Sequence, residues 1–155
     1  MNFPEAAAAP DANAPASNRD AASVTVALDA MGADFAPECA VRAAEQALHR
    51  DSALNIRLLA DSDTLSKAVG LSDRLGPRLI GIETAEFIAM DSSPAEALRR
   101  GRESSMALAL AEVAQGRADA VVSSGNTGAL MALARSTLGM LSGIERPALM
   151  TEFPV

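Results

Sequence analysis

The sequence predicts an α/β protein in three layers, a mostly parallel sheet with helices on both faces. Short apolar runs alternate with stretches of helical periodicity through most of the chain, the pattern of βαβ units joined by right-handed crossovers. Hydrophobic residues make up 49% of the chain, yet Trp and Tyr are absent and only four Phe occur, so the core must be aliphatic. Such a core suits strands buried on both faces better than a sandwich or a base-stacking surface. The 155 residues are enough for one domain with a sizeable core.

Residues 1–22 hold Ala, Pro, Asn and Ser with scattered charges, without the basic start and apolar block of a signal peptide. They are expected to be a disordered tail before a single α/β domain over residues 23–155. "VTVAL" (24–28) is a β-branched run that reads as a buried strand ending at Asp29. The loop "DAMGADFAP" follows, with Pro37 suited to a first helical position. From there Ala40, Val41, Ala44, Ala47 and Leu48 recur at helical spacing, to about His49. Residues 56–60 form a second predicted strand, and Asp61, Ser62 and Asp63 offer caps for a short helix through Val69. Residues 70–77 read as loop and 79–82 as a third strand.

"MDSSPAEALRR" (90–100) carries the sharpest helix start. Ser93 is the predicted N-cap, Pro94 the first helical residue, and Glu96 completes a Ser-x-x-Glu capping box. That helix is expected to reach about Gln115, with Gly116 as its stop. Gly101 in its interior costs about 1 kcal/mol relative to Ala, which marks a bend or a close contact. A fourth strand is predicted at 118–122, a helix at 128–138 and a fifth strand at 148–153. With no helix after that strand, the chain reads as a truncated domain.

The net charge of −7 argues against nucleic-acid binding, and an acidic partner would need a local basic patch. A single cysteine, Cys39, excludes an internal disulfide and a cysteine-based zinc cluster, in keeping with a cytoplasmic protein. Cys39 is expected to be inert packing beside the core. The one histidine, His49, falls where it opposes the negative end of its helix, so no Ser-His-Asp or Cys-His system is available. The longest uncharged run, 120–134, is too short and too interrupted to span a membrane.

In an open parallel sheet, ligands bind beyond the carboxyl ends of the strands. Three predicted loops lie there, at 29–37, 89–94 and 123–128, and are expected to wall one crevice. Gly125-Asn126-Thr127-Gly128 is neither a Walker A loop nor a GxGxxG fingerprint. Its place at a strand-to-helix handover allows an anion site on bare amides, with Asn126 and Thr127 adding side-chain donors. The other reading is a turn in which Asn126 or Thr127 merely caps the helix. In the first loop, Asp29 and Asp34 suit a divalent cation or the orientation of a polar substrate. Alternatively Asp34 caps the following helix and Gly32 makes the turn. Arg99, Arg100 and Arg102 form the only dense basic cluster. They fit docking of phosphate or of an acidic carrier protein, or a solvated helix face with Glu96–Arg100 and Arg99–Glu103 paired four apart.

On these residues the sequence resembles the PlsX-type phosphate acyltransferases of bacterial phospholipid synthesis. The resemblance is carried by "VALDAMGADFAPE" (26–38), "MDSSPAEALRR" (90–100), "SSM" (104–106), "ADAVVSSGNTGALMA" (118–132) and "GIERPAL" (143–149), in family order. The family usually has glycine at the position of Ala33 and alanine at that of Ser124, and its members are about twice as long. The resemblance implies a Rossmann-like, isopropylmalate-dehydrogenase-like fold of which this is the N-terminal part. It also implies transfer of a fatty acyl group from acyl carrier protein to inorganic phosphate, without cofactor or metal. A homodimer, peripheral contact with the inner face of the membrane and hand-over of acyl phosphate to a membrane-bound glycerol-3-phosphate acyltransferase follow from the same likeness. The implied site is Ser124, Gly125, Asn126, Thr127 and Gly128 around phosphate, with Asn126 as oxyanion donor. Asp29, Gly32 and Asp34 would order the opposite loop, and Arg99 and Arg100 would dock the carrier protein or phosphate. The alternatives are a phosphotransacetylase-like enzyme acting on acyl-CoA, an oxidoreductase of the same fold (for which no nicotinamide or metal set is found), and an inactive phosphate-binding fragment.

Overall fold

The computed structural model describes residues 23–151. The predicted tail at 1–22 lies outside the described residues.

Four β-branched or aliphatic runs form one all-parallel sheet in the order β3-β2-β1-β4. They are β1 (Val24–Asp29), β2 (Leu54–Ala60), β3 (Leu79–Glu83) and β4 (Ala120–Ser123). The helices between them are α1 (Glu38–Arg50), α2 (Ser62–Leu75), α3 (Pro94–Arg100), α4 (Ser105–Ala114) and α5 (Thr127–Leu138). The alternation of side chains along β2 explains the layers. Ile56, Leu58 and Ala60 join Ala44 and Leu48 of α1 and Ala68 of α2 in one cluster. Leu59 points the other way, to Ala27, Ala109 and Ala118. A third cluster fills the space between α3, α4 and α5 around Met106, Leu110, Ala129 and Leu133. The predicted α/β architecture is the one observed.

Three boundaries differ from the sequence expectation, each for a local reason. Helix α2 does not stop at Val69: the chain stays helical through Gly70, and the break comes at Gly76, whose φ of +66° only glycine takes readily, followed by Pro77. The long helix expected from Pro94 to about Gln115 is two helices. At Gly101 the chain passes into a 3-10 turn, because the Ser104 hydroxyl donates to the Gly101 carbonyl at 2.6 Å and then caps α4 by accepting from the Ala107 N–H at 3.3 Å. A β-carbon on Gly101 would lie 3.0 Å from Ile88 Cδ1, so the close contact anticipated there exists. The predicted fifth strand is absent among the described residues: 148–151 pair with no strand, and 152 and 153 lie outside them.

Cys39 is a further correction. It is exposed in the first turn of α1, off the stripe that buries Ala44 and Leu48, and does not pack in the core. Asp34 does not cap α1 either, since that helix starts after Pro37 without a side-chain cap.

Candidate functional site at the carboxyl ends of the strands

The register of the sheet sets the site. Asp29, the last residue of β1, pairs with Leu59 on one side and Ser123 on the other, so the β1 and β4 loops leave the sheet side by side. The Asp29 carboxylate is 1% exposed and is held by two donors. One oxygen accepts from the Met31 N–H at 3.1 Å, closing the first loop on itself, and the other from the Ser123 hydroxyl at 2.8 Å. Ser123 Oγ in turn accepts the Gly125 N–H at 3.1 Å. A buried carboxylate is tolerated only when hydrogen-bonded, and here that requirement ties two loops together.

Asn126 makes the second tie. It is the N-cap of α5, accepting the Ala129 N–H at 3.0 Å through Oδ1. Its Nδ2 donates to the carbonyls of Met90 (2.9 Å) and Ser92 (2.8 Å), with that of Ala89 at 3.4 Å. The residue is 8% exposed, and its amide bridges α5 and the segment leading into α3. Ser93 caps α3, accepting from the Glu96 N–H at 3.2 Å, and Pro94 opens it, as the sequence indicates.

Glycine supplies the remaining closeness. Gly32 has φ +75°, and a β-carbon there would lie 2.6 Å from the Ile88 carbonyl oxygen. One on Gly125 would lie 3.2 Å from Met106 Cε and 3.7 Å from the Gly32 carbonyl oxygen. One on Gly128 would lie 3.2 Å from Pro94 Cγ. The glycines of the Gly-Asn-Thr-Gly turn therefore admit neighbouring chain as well as leaving backbone uncovered. The three expected loops do meet at one end of the sheet.

What remains open to a ligand is main chain. Among the described residues no acceptor is found for the N–H groups of Thr127 and Gly128, the first two residues of the 12-residue helix α5. Thr127 and Ser124 are exposed at the same turn. Such amides at the positive end of a helix favour an anion. Among the described residues there is no group of three or more His, Cys, Asp or Glu able to hold a metal ion. Among them, too, no helix is long and apolar enough to cross a membrane.

Arg99 and Arg100 occupy the last turn of α3 and are exposed. With a rise of about 1.5 Å per residue they lie about 7.5–9 Å along the axis from Pro94, at the other end of α3 from the residue that Gly128 approaches. Arg100 borders a shallow cleft with Glu86, Ser92 and Glu96. Among the described residues neither expected pair, Glu96–Arg100 or Arg99–Glu103, forms an ion pair. Asp34 is exposed on the first loop.

Sequence reasoning missed Ser123, passing over it for its neighbour Ser124. Its role depends on β4 lying beside β1, a non-local fact; the only local signal is a hydroxyl residue at the end of a strand directly before the turn. It also missed Glu112, whose nearly buried carboxylate lies between Arg57 of β2 and Arg117, away from the strand ends.

The fold and the site define an α/β protein with an anion-suited turn at the carboxyl end of a parallel sheet. Residues 24–155 match the model of the fatty acid synthesis protein family, and the chain belongs to that family. It is 46% identical over 132 residues to the phosphate acyltransferase of Photobacterium profundum, an alignment covering 84% of this chain and 39% of that relative. The chain thus spans about two-fifths of the length of the curated relative it matches.

Proposed function

We propose that this chain carries the phosphate-binding part of a phosphate acyltransferase, which moves a fatty acyl group from acyl carrier protein to inorganic phosphate. The observation that supports it most is the pair of main-chain donors at Thr127 and Gly128, at the start of α5 and beside exposed Thr127 and Ser124 side chains. Family membership and the likeness to a phosphate acyltransferase point the same way.

The reaction asks little of a nucleophilic side chain. A phosphate oxygen attacks the thioester carbonyl carbon, forming a C–O bond and a tetrahedral oxyanion. Collapse breaks the C–S bond, and the carrier thiolate leaves and takes up a proton. The protein's work is to hold phosphate in line and to favour the developing negative charge. In this reading the amides of the Gly125–Gly128 turn, with Ser124 and Thr127, bind phosphate. Asn126 and Asp29 act by position: the Asn126 nitrogen already serves carbonyl oxygens, and the Asp29 carboxylate is buried in two hydrogen bonds. Gly32 and Asp34 belong to the opposite wall. Arg99 and Arg100 attract the acidic carrier protein by steering. A cytoplasmic homodimer that meets the membrane peripherally and passes acyl phosphate to a membrane-bound glycerol-3-phosphate acyltransferase completes the proposal.

The test is to incubate the chain with inorganic phosphate and a long-chain acyl thioester of the carrier protein, trapping acyl phosphate with hydroxylamine. Hydroxamate that requires both substrates supports the reading. Equal use of acyl-CoA would favour a phosphotransacetylase-like enzyme. Stabilisation by phosphate with no hydroxamate would leave this chain a phosphate-binding piece.

A further inference from the structure

We infer that Ser123 is the positioning residue of the Gly-Asn-Thr-Gly turn, a role that rests on the phosphate reading above and adds to it. Its hydroxyl ties the two loops together: it donates to Asp29 Oδ2 at 2.8 Å and accepts the Gly125 N–H at 3.1 Å. A hydroxyl donates a single proton, so the bond to Asp29 fixes where that proton points and leaves a lone pair aimed at Gly125. The acceptor is a carboxylate oxygen that is buried, so water does not compete for this bond. Asp29 is itself anchored by the Met31 N–H and by its strand pairings to Leu59 and Ser123. The orientation of the Gly125 peptide is therefore referred to the centre of the sheet.

The consequence reaches the donors of the anion site. Gly125 has no side chain; the nearest atoms to where one would be belong to Met106, Ser123 and the Gly32 carbonyl, at 3.2–3.7 Å. A glycine peptide has the widest choice of backbone conformation, and this one is one residue from Asn126, which sets the start of α5. With Ser123 in place, the turn enters α5 in one orientation, and the Thr127 and Gly128 amides face outward together. Without it the turn samples others, and an ion that needs both amides at once is held less tightly. Ser123 touches no substrate in this account; it acts through Gly125.

Two measurements on the chain decide this. First, amide hydrogen exchange at Gly125 should speed up about tenfold in Ser123→Ala, with α4 and the sheet unchanged, and return to the wild-type rate in Ser123→Thr, which keeps the hydroxyl. Second, the Kd for inorganic phosphate should rise about 5- to 10-fold in Ser123→Ala and recover in Ser123→Thr. If Ser123→Ala does not fold, Ser123→Cys takes its place, since a thiol keeps the volume but bonds weakly. Unchanged Gly125 exchange in a folded variant overturns the inference. So does unchanged phosphate affinity where the wild type binds. If the wild type binds no phosphate, the functional reading falls, and the inference that rests on it falls too, whatever the exchange data show about the Ser123–Gly125 bond.

Discussion

The side-chain nitrogen of Asn126 donates to the Ser92 carbonyl at 2.8 Å, joining the N-cap of α5 to the residue before the N-cap of α3. Two helix starts from distant parts of the chain are thereby locked at one end of the sheet. This makes Asn126 a strut as well as a cap, and the two tasks use different atoms. Asn126→Asp keeps the oxygen that caps Ala129 but puts an acceptor where carbonyls need a donor. Asn126→Ala should lower stability by about 2–3 kcal/mol, roughly 1 for the cap and the rest for carbonyls left without a partner. Asn126→Asp should recover less than half of that loss in thermal unfolding. Full recovery would mean that capping is its whole contribution.

Gly32→Ala should be the more damaging change in the first loop. It forces a left-handed φ of +75° on a residue with a β-carbon and drives that carbon to 2.6 Å from the Ile88 carbonyl oxygen. Backbone cannot give way as a side-chain tip would, so a loss of about 3 kcal/mol is expected in chemical denaturation. Gly116→Ala shares the positive φ, with nothing within 4 Å of its β-carbon, and should cost only about 1 kcal/mol.

Glu112 predicts a pH dependence away from the site. Hydrogen bonds from Arg117, and secondarily from Arg57, hold its carboxyl below the usual glutamate value of 4.5, against the opposing effect of burial. A folded pKa below the unfolded one stabilises the fold fully above the unfolded value and loses that contribution as pH falls through the folded value. Glu112→Gln should therefore cost about 2–3 kcal/mol near neutral pH, and the gap to wild type should narrow as the pH falls below 4.5. Unfolding curves at several pH values check this, and a gap independent of pH would contradict it.

Charge reversal at Arg100 tests the docking proposal. In Arg100→Glu the KM for acyl carrier substrate should rise several-fold at low salt, about 3- to 10-fold, with the difference fading as ionic strength increases. The KM for phosphate should not move, because Arg100 ends α3 and Pro94, which meets Gly128, begins it. An unchanged carrier KM at low salt would return this arginine to an ordinary solvated surface.

Much of the fold was legible because its signals are local. Short apolar, β-branched runs mark the strands, Ser93-Pro94 marks the start of α3, and Gly116 marks the stop of α4. The misses have local causes of another kind. Residues 70–77 read as loop although a helix with tertiary support tolerates Gly70, and Ser104 is hidden as a cap because it lies within one continuous periodic stretch. The convergence of three loops followed from the rule for parallel sheets. Which side chain does what at their meeting point did not follow. Ser123 and Asp29 are 94 residues apart, and only the strand order makes them neighbours. Asn126 is legible as a cap of α5, but its sequence context shows a turn and not the carbonyls of residues 89–92 that its side-chain nitrogen meets.

The central claim is that the start of α5 holds a phosphate ion on main-chain N–H groups. Titrating inorganic phosphate into the isotopically labelled chain while following backbone amide resonances tests it directly. The account predicts saturable shifts centred on Thr127 and Gly128, weakened by Ser123→Ala. Shifts centred on Arg99 and Arg100 with Thr127 and Gly128 unmoved, or no saturable shift at all, would contradict it.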